Sequence, residues 1–114
     1  MNSADLARRI VDLLSDRQAE ETVLLDLRGV AYFADYFVIS TAQNPRQMRA
    51  LVENLAKDLR EEGVRADHLE GDSDSGWMLL DYGDVIVHLF SAEQRAFYAI
   101  EELWRQAKPV VRIQ

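Results

Sequence analysis

Leu6, Ile10, Leu13 and Leu14 recur at helical spacing behind Ser3, a residue type that caps helices, so a first helix is expected from Ser3 to about Asp16–Gln18. Thr22–Leu27 (TVLLDL) then reads as a buried strand, ended by Arg28-Gly29. Tyr32–Asp35 is a short irregular turn. Tyr36–Thr41 (YFVIST), β-branched and aromatic, is a second strand. The clearest helix follows: Asn44 caps it, Pro45 takes its first position, Met48, Leu51, Val52, Leu55 and Leu59 form its buried stripe, and Gly63 stops it. Val64–Leu69 (VRADHL) is a shorter, more polar strand, and Glu70–Gly76 (EGDSDSG) an acidic loop. Ser91-Ala92-Glu93-Gln94 matches a capping box, opening a last helix that carries Phe97, Ile100, Leu103 and Trp104 on its inner side. Lys108-Pro109 ends that helix and leaves VVRIQ as a short tail.

Between the acidic loop and the capping box lies WMLLDYGDVIVHLF (Trp77–Phe90), two strands joined at Gly83-Asp84. A two-residue turn pairs Tyr82 with Val85, Leu80 with Val87 and Met78 with Leu89. Because side chains alternate, these six share one apolar face that belongs under helices. The other face holds Trp77, Leu79 and Asp81 against Phe90, His88 and Ile86, with Asp81 diagonal to His88 at roughly 7–8 Å between backbones. Two readings of this second face stand side by side. In one, Trp77 and Phe90 pack under another helix while His88 hydrogen-bonds Asp81. In the other, Trp77 anchors an exposed binding surface, as tryptophan often does. The whole order is αββαβββα. It predicts one α/β domain over residues 1–114, with a mixed five-stranded sheet covered by helices, a core over about 3–107 and a tail over 108–114.

The chain's 114 residues carry a formal charge of −7, from 13 basic and 20 acidic side chains. Eight of the acids and a single base, Arg65, fall between Glu61 and Asp84, and the remaining ninety residues balance at 12 against 12. Nucleic-acid domains show the opposite sign, a basic stripe along phosphates. The placement therefore disfavours a direct nucleic-acid contact and suits a basic protein partner. An acidic surface that only maintains solubility gives the same composition. No apolar run is long enough to span a membrane, and the start lacks the pattern of a secretory signal, so a cytoplasmic protein is expected.

Candidate chemistry is sparse. There is no cysteine, which removes disulfides and thiolate ligands. Asp84 and His88 are four residues apart on a strand, roughly 13 Å, and cannot share an ion. Asp72-Ser73-Asp74-Ser75-Gly76 lacks the closing glutamate of a calcium loop. The five glycines form no phosphate-binding loop, and no GxSxG elbow occurs. No cofactor or metal is expected.

ADYFVIS (Ala34–Ser40), Glu70-Gly71, Gly76-Trp77, LLDYGDVIVHLF (Leu79–Phe90) and RAFYAIEELW (Arg95–Trp104) together resemble the ribosomal silencing factor, or Iojap-like, family from the first helix to about Ala107. One departure is Thr41-Ala42-Gln43-Asn44, where the family usually has a small glycine-containing turn. The resemblance implies a nucleotidyltransferase-like fold without the catalytic motif, and binding in place of catalysis. It implies attachment to the large ribosomal subunit, chiefly to the L-series ribosomal protein numbered fourteen, on the face that meets the small subunit. Subunit joining would thereby be blocked and translation lowered when nutrients are short. Carried over by position, it marks Trp77 as anchor with Asp81, Tyr82 and His88 around it. Glu70, Asp72 and Asp74 would supply charge, and Asp35 and Tyr36 are additions. Tyr82 fits least, because the pairing puts it on the core face. Two other classes remain: a small homodimeric adaptor for another basic protein, and a nucleotidyltransferase-type enzyme, for which DSDSG is in the wrong order.

Overall fold

The computed structural model describes residues 1–113. In chain order its elements are α1 (Ser3–Asp16), β1 (Glu20–Asp26), β2 (Tyr36–Ala42), α2 (Pro45–Glu61), β3 (His68–Asp72), a 3-10 turn (Ser73–Ser75), β4 (Trp77–Asp81), β5 (Val85–Ser91), α3 (Ala92–Tyr98), α4 (Ile100–Leu103) and β6 (Lys108–Ile113). The strands form one mixed sheet in the order β3-β4-β5-β2-β1-β6. Among the described residues only the β2–β5 pair is parallel. That is the pair joined by the long crossover through α2, as parallel neighbours require.

Alternation divides the sheet into two unequal faces. On one, Leu24, Val38, Met78, Leu80, Val85, Val87 and Leu89 pack with the buried stripes of α1 and α2 into the larger core. Thr22 and Ser40, the two hydroxyls buried in the sheet beside them, satisfy each other at 2.7 Å. The other face carries a smaller core of Val23, Leu25, Phe37, Ile39 and Phe90, roofed by Ile100, Ala107 and the partly buried Trp104. The roof comes from α3, α4 and the β1–β2 loop, and it leaves the β3–β4 side of this face partly open.

Both signals expected of α2 are present: the Asn44 side chain accepts from the Gln47 N–H, and Pro45 opens the helix. Gly63 lies just past its end at φ +85°, the left-handed conformation that glycine adopts without strain. The hairpin register is also as expected, with Trp77 opposite Phe90, Met78 opposite Leu89, Leu79 opposite His88 and Leu80 opposite Val87.

Four expectations are corrected. The cap of α1 is Asn2, whose side chain accepts from the Asp5 N–H; Ser3 is the first helical residue and donates to Asp35 Oδ2 at 2.8 Å. The third strand is not Val64–Leu69 but His68–Asp72, so Glu70–Asp72 belong to an edge strand and only Ser73–Ser75 to the turn. β3 is held by its ladder to β4 and not by burial, since all five residues are exposed. The sheet has six strands, because the tail 108–113 pairs antiparallel with β1. Finally, the last helix breaks at Ala99, which takes φ 45°, ψ 45°. The break resets the helical phase: Ile100 is buried, Trp104 packs edge-on against Phe33 and Phe37, and Phe97 and Leu103 are each 75% exposed. The final element order is therefore αββαβββααβ.

Candidate functional site

The open part of the second face is built by three antiparallel strands in register. β3 contributes His68, Glu70 and Asp72, opposite Asp81, Leu79 and Trp77 of β4. Those three in turn lie opposite Ile86, His88 and Phe90 of β5. Alternation thus gathers Glu70, Asp72, Trp77, Asp81 and His88 on one surface.

Trp77 lies half-buried at its centre. Its ring stacks on Phe90 with centroids 5.0 Å apart at 28°, and meets Tyr98 of α3 at 4.5 Å. Its indole N–H donates to His88 Nδ1 at 3.2 Å. An indole can only donate, so His88 must accept at Nδ1 and carry its proton on Nε2. That Nε2 is buried without a partner. His88 is only 5% exposed, and desolvation pushes its pKa down to about 4. The imidazole is therefore neutral at ordinary pH.

The expected His88–Asp81 pair is not formed. Both Trp77 and Asp81 are diagonal to His88, but only the indole is long enough to reach it. The Asp81 carboxylate serves the turn instead, accepting from the Gly83 N–H at 2.7 Å, with His68 Nδ1 at 3.8 Å. The Trp77 environment combines both sequence readings, since one edge of the ring is packed and tethered while the residue stays half-exposed.

The acids differ in what they already hold. Asp72 accepts from the Ser75 N–H and caps the 3-10 turn. Asp74 is exposed on that turn, which Arg49 ties to α2 through Ser73 Oγ at 2.8 Å. Glu70 is exposed and has no hydrogen-bond or ion-pair partner among the described residues. The described residues contain no group of three or more His, Cys, Asp and Glu able to hold a metal ion, and no helix long and apolar enough to cross a membrane.

A family model described as "Ribosomal silencing factor during starvation" matches residues 1–114. The chain belongs to the ribosomal silencing factor family. It is 36% identical over 110 residues to a ribosomal silencing factor of Halalkalibacterium halodurans, covering 96% of the chain and 94% of that protein. A crystal structure of a protein from Chromobacterium violaceum superposes with a TM-score of 0.87 at 28% identity, covering 100% of the chain and 95% of that one. A mouse protein named for mitochondrial assembly of the ribosomal large subunit is 30% identical over 98 residues, covering 83% of the chain and 43% of that protein.

Three residues assigned to the surface from the sequence lie elsewhere in the chain. Tyr82 is on the helix-covered face, 9% exposed, with its hydroxyl buried and unpartnered and its pKa pushed up to about 12 by desolvation. Tyr36 is 4% exposed in the same core, under the Arg28 guanidinium at 5.3 Å from its ring centroid. Asp35 is half-buried at the start of β2, where it accepts from Ser3 Oγ and its N–H donates to the Asp84 carbonyl. Sequence reasoning missed Tyr98, 42% exposed and in contact with Trp77. The adjacent aromatics Phe97 and Tyr98 were the available signal, since neighbouring helical residues cannot share one inner stripe.

Proposed function

We propose that this chain binds the large ribosomal subunit at the face that meets the small subunit, chiefly through the L-series ribosomal protein numbered fourteen. By occupying that face it sterically blocks subunit joining and so lowers translation under nutrient limitation. The carrying observation is the half-open face around Trp77, where an aromatic anchor and the acids Glu70, Asp72, Asp74 and Asp81 lie together on a member of the silencing-factor family. Ribosomal proteins are generally basic, and an acidic surface steers and orients such a partner. The large-subunit assignment draws support from the printed name of the mouse relative.

Trp77, Asp81 and His88 form the centre of the proposed surface, with Glu70, Asp72 and Asp74 as its charged rim; Asp35, turned towards α1, stands outside it. Tyr36 and Tyr82, being buried, support it from beneath. The activity is binding in the cytoplasm, with neither catalysis nor cofactor, on a sheet we read as nucleotidyltransferase-like without the catalytic motif.

The test is light scattering during reassociation of purified subunits, with wild type and with a Trp77→Ala variant shown to be folded. Inhibition by wild type that is lost in the variant supports both activity and surface. Absence of inhibition by wild type rejects the function and favours an adaptor for another basic protein, with homodimerisation measured alongside. Saturable magnesium-nucleotide binding in calorimetry would instead favour the enzymatic reading.

A further inference from the structure

Beside Trp77 the surface is indented by a pocket of about 260 Å³, lined by Glu70, Gly71, Ser75, Trp77, Leu79 and Tyr98. Its walls have a defined chemistry. Trp77 and Tyr98 supply ring surface, Leu79 supplies an apolar patch, and Glu70 supplies a carboxylate with no partner among the described residues. Donors are scarce. The Trp77 indole N–H is engaged by His88, the Ser75 N–H by Asp72, and the Ser75 hydroxyl points to the carbonyls of Asp72 and Trp77. A pocket of acceptors and π-faces with few free donors is complementary to a group that only donates and carries positive charge. It is unsuited to a phosphate or carboxylate.

We propose that this pocket receives an arginine side chain of the protein partner. The inference rests on reading this face as the docking surface for a basic protein, and it names the chemical group that enters first. Arginine fits better than lysine on two grounds. Its planar guanidinium stacks on aromatic faces, and its fork of donors matches a carboxylate such as Glu70. Its methylene stem, like that of lysine, lies along apolar surface such as Leu79. The exposed Asp72 and Asp74 nearby deepen the negative potential at the pocket mouth.

Two features keep the pocket pre-formed. Gly71 stands at φ +83°, and a Cβ there would collide with the Trp77 carbonyl, so only glycine lets β3 approach β4 this closely. The Trp77–His88 hydrogen bond fixes the indole that forms one wall.

The probe is a pair of short blocked peptides, Gly-Gly-Arg-Gly-Gly and its neutral citrulline isostere, titrated against the ¹⁵N-labelled full chain. The two tryptophans give two indole N–H signals, with Trp104, packed on the same small core but outside the pocket lining, as internal control. The arginine peptide is expected to move the Trp77 signal saturably and leave that of Trp104 in place. The citrulline peptide should bind at least tenfold more weakly. Glu70→Gln, an exposed change that leaves the fold intact, should reduce arginine binding to the citrulline level, and Tyr98→Ala should weaken it where Tyr98→Phe does not. Equal response to both peptides, or no effect of Glu70→Gln, overturns the proposal. Co-sedimentation of wild type with large subunits is measured separately. Its failure, beside a positive peptide result, rejects the ribosomal partner and leaves the arginine pocket standing.

Discussion

Acidification should loosen the Trp77 side chain through His88. The imidazole has its pKa pushed down to about 4 in the folded chain, against an ordinary value of 6.5. Above pH 6.5 both folded and unfolded states hold it neutral, and it contributes no pH dependence. Between 6.5 and 4 the unfolded chain takes up a proton that the folded chain refuses, so stability falls as pH falls. Below about pH 4 both states are protonated and the loss is complete. Each tenfold difference in proton affinity is about 1.4 kcal/mol, which makes the full loss about 3 kcal/mol, most of it present by about pH 4.5. Protonation also turns Nδ1 from an acceptor into a donor, which breaks the bond from the Trp77 indole. Urea unfolding at neutral pH and at about pH 4.5 should be compared for wild type and His88→Asn. Asparagine can still accept from the indole but does not titrate, so the contributions common to both proteins cancel in the difference. The wild type should lose about 2 to 3 kcal/mol more than the variant, and its Trp77 indole signal should shift in step. Identical pH dependence in the two proteins would refute the assignment of the loss to His88.

Other perturbations test the fold around the same surface. Tyr82→Phe removes a buried hydroxyl without a partner; the urea midpoint should rise by the equivalent of about 1 kcal/mol while subunit inhibition is retained. Ala99→Gly relieves a left-handed alanine between α3 and α4, and thermal unfolding should show a gain of about 0.5 kcal/mol, the strain relief outweighing glycine's added chain entropy. Gly71→Ala should cost about 2 kcal/mol or more and shift the backbone amide signals of β3 and β4, because both its left-handed backbone and the Trp77 carbonyl oppose a side chain there.

Where the sequence was legible, local rules and burial agreed. The register of β4 and β5 follows from counting outward from Gly83-Asp84, and burial of one whole face excludes a one-residue slip. The ends of α2 were visible because Asn44, Pro45 and Gly63 each act within one turn of the chain. Long-range order was not visible. β6 pairs with β1 across most of the chain, and nothing near Lys108–Ile113 records that partner. β3 buries none of its residues, so its hydrophobic pattern carries no strand signal, and only the neighbouring β4 makes it a strand. The break at Ala99 was hidden for the opposite reason. Alanine is a strong helix former, and its left-handed backbone is imposed by packing of Ile100 and Trp104 against the sheet.

That hidden break shapes the surface. An unbroken helix would carry Phe97 and Leu103 on its inner stripe, closing more of the second face. With the break, α3 spans only Ala92–Tyr98 and α4 only Ile100–Leu103, too short a roof to cover β3 and β4, which it meets through Tyr98. Arg95 holds this arrangement in place, donating to the Glu21 carbonyl, to Thr41 Oγ1 and to Glu101. The uncovered strip is where Trp77, Tyr98 and the acidic edge meet. A partner docking there meets an indole already fixed by Phe90 and His88, so little rotamer entropy remains to be lost on binding. On the proposed docking surface, burial of this one prepared tryptophan would then suffice to anchor a partner, and the acids around it would select which partners reach it.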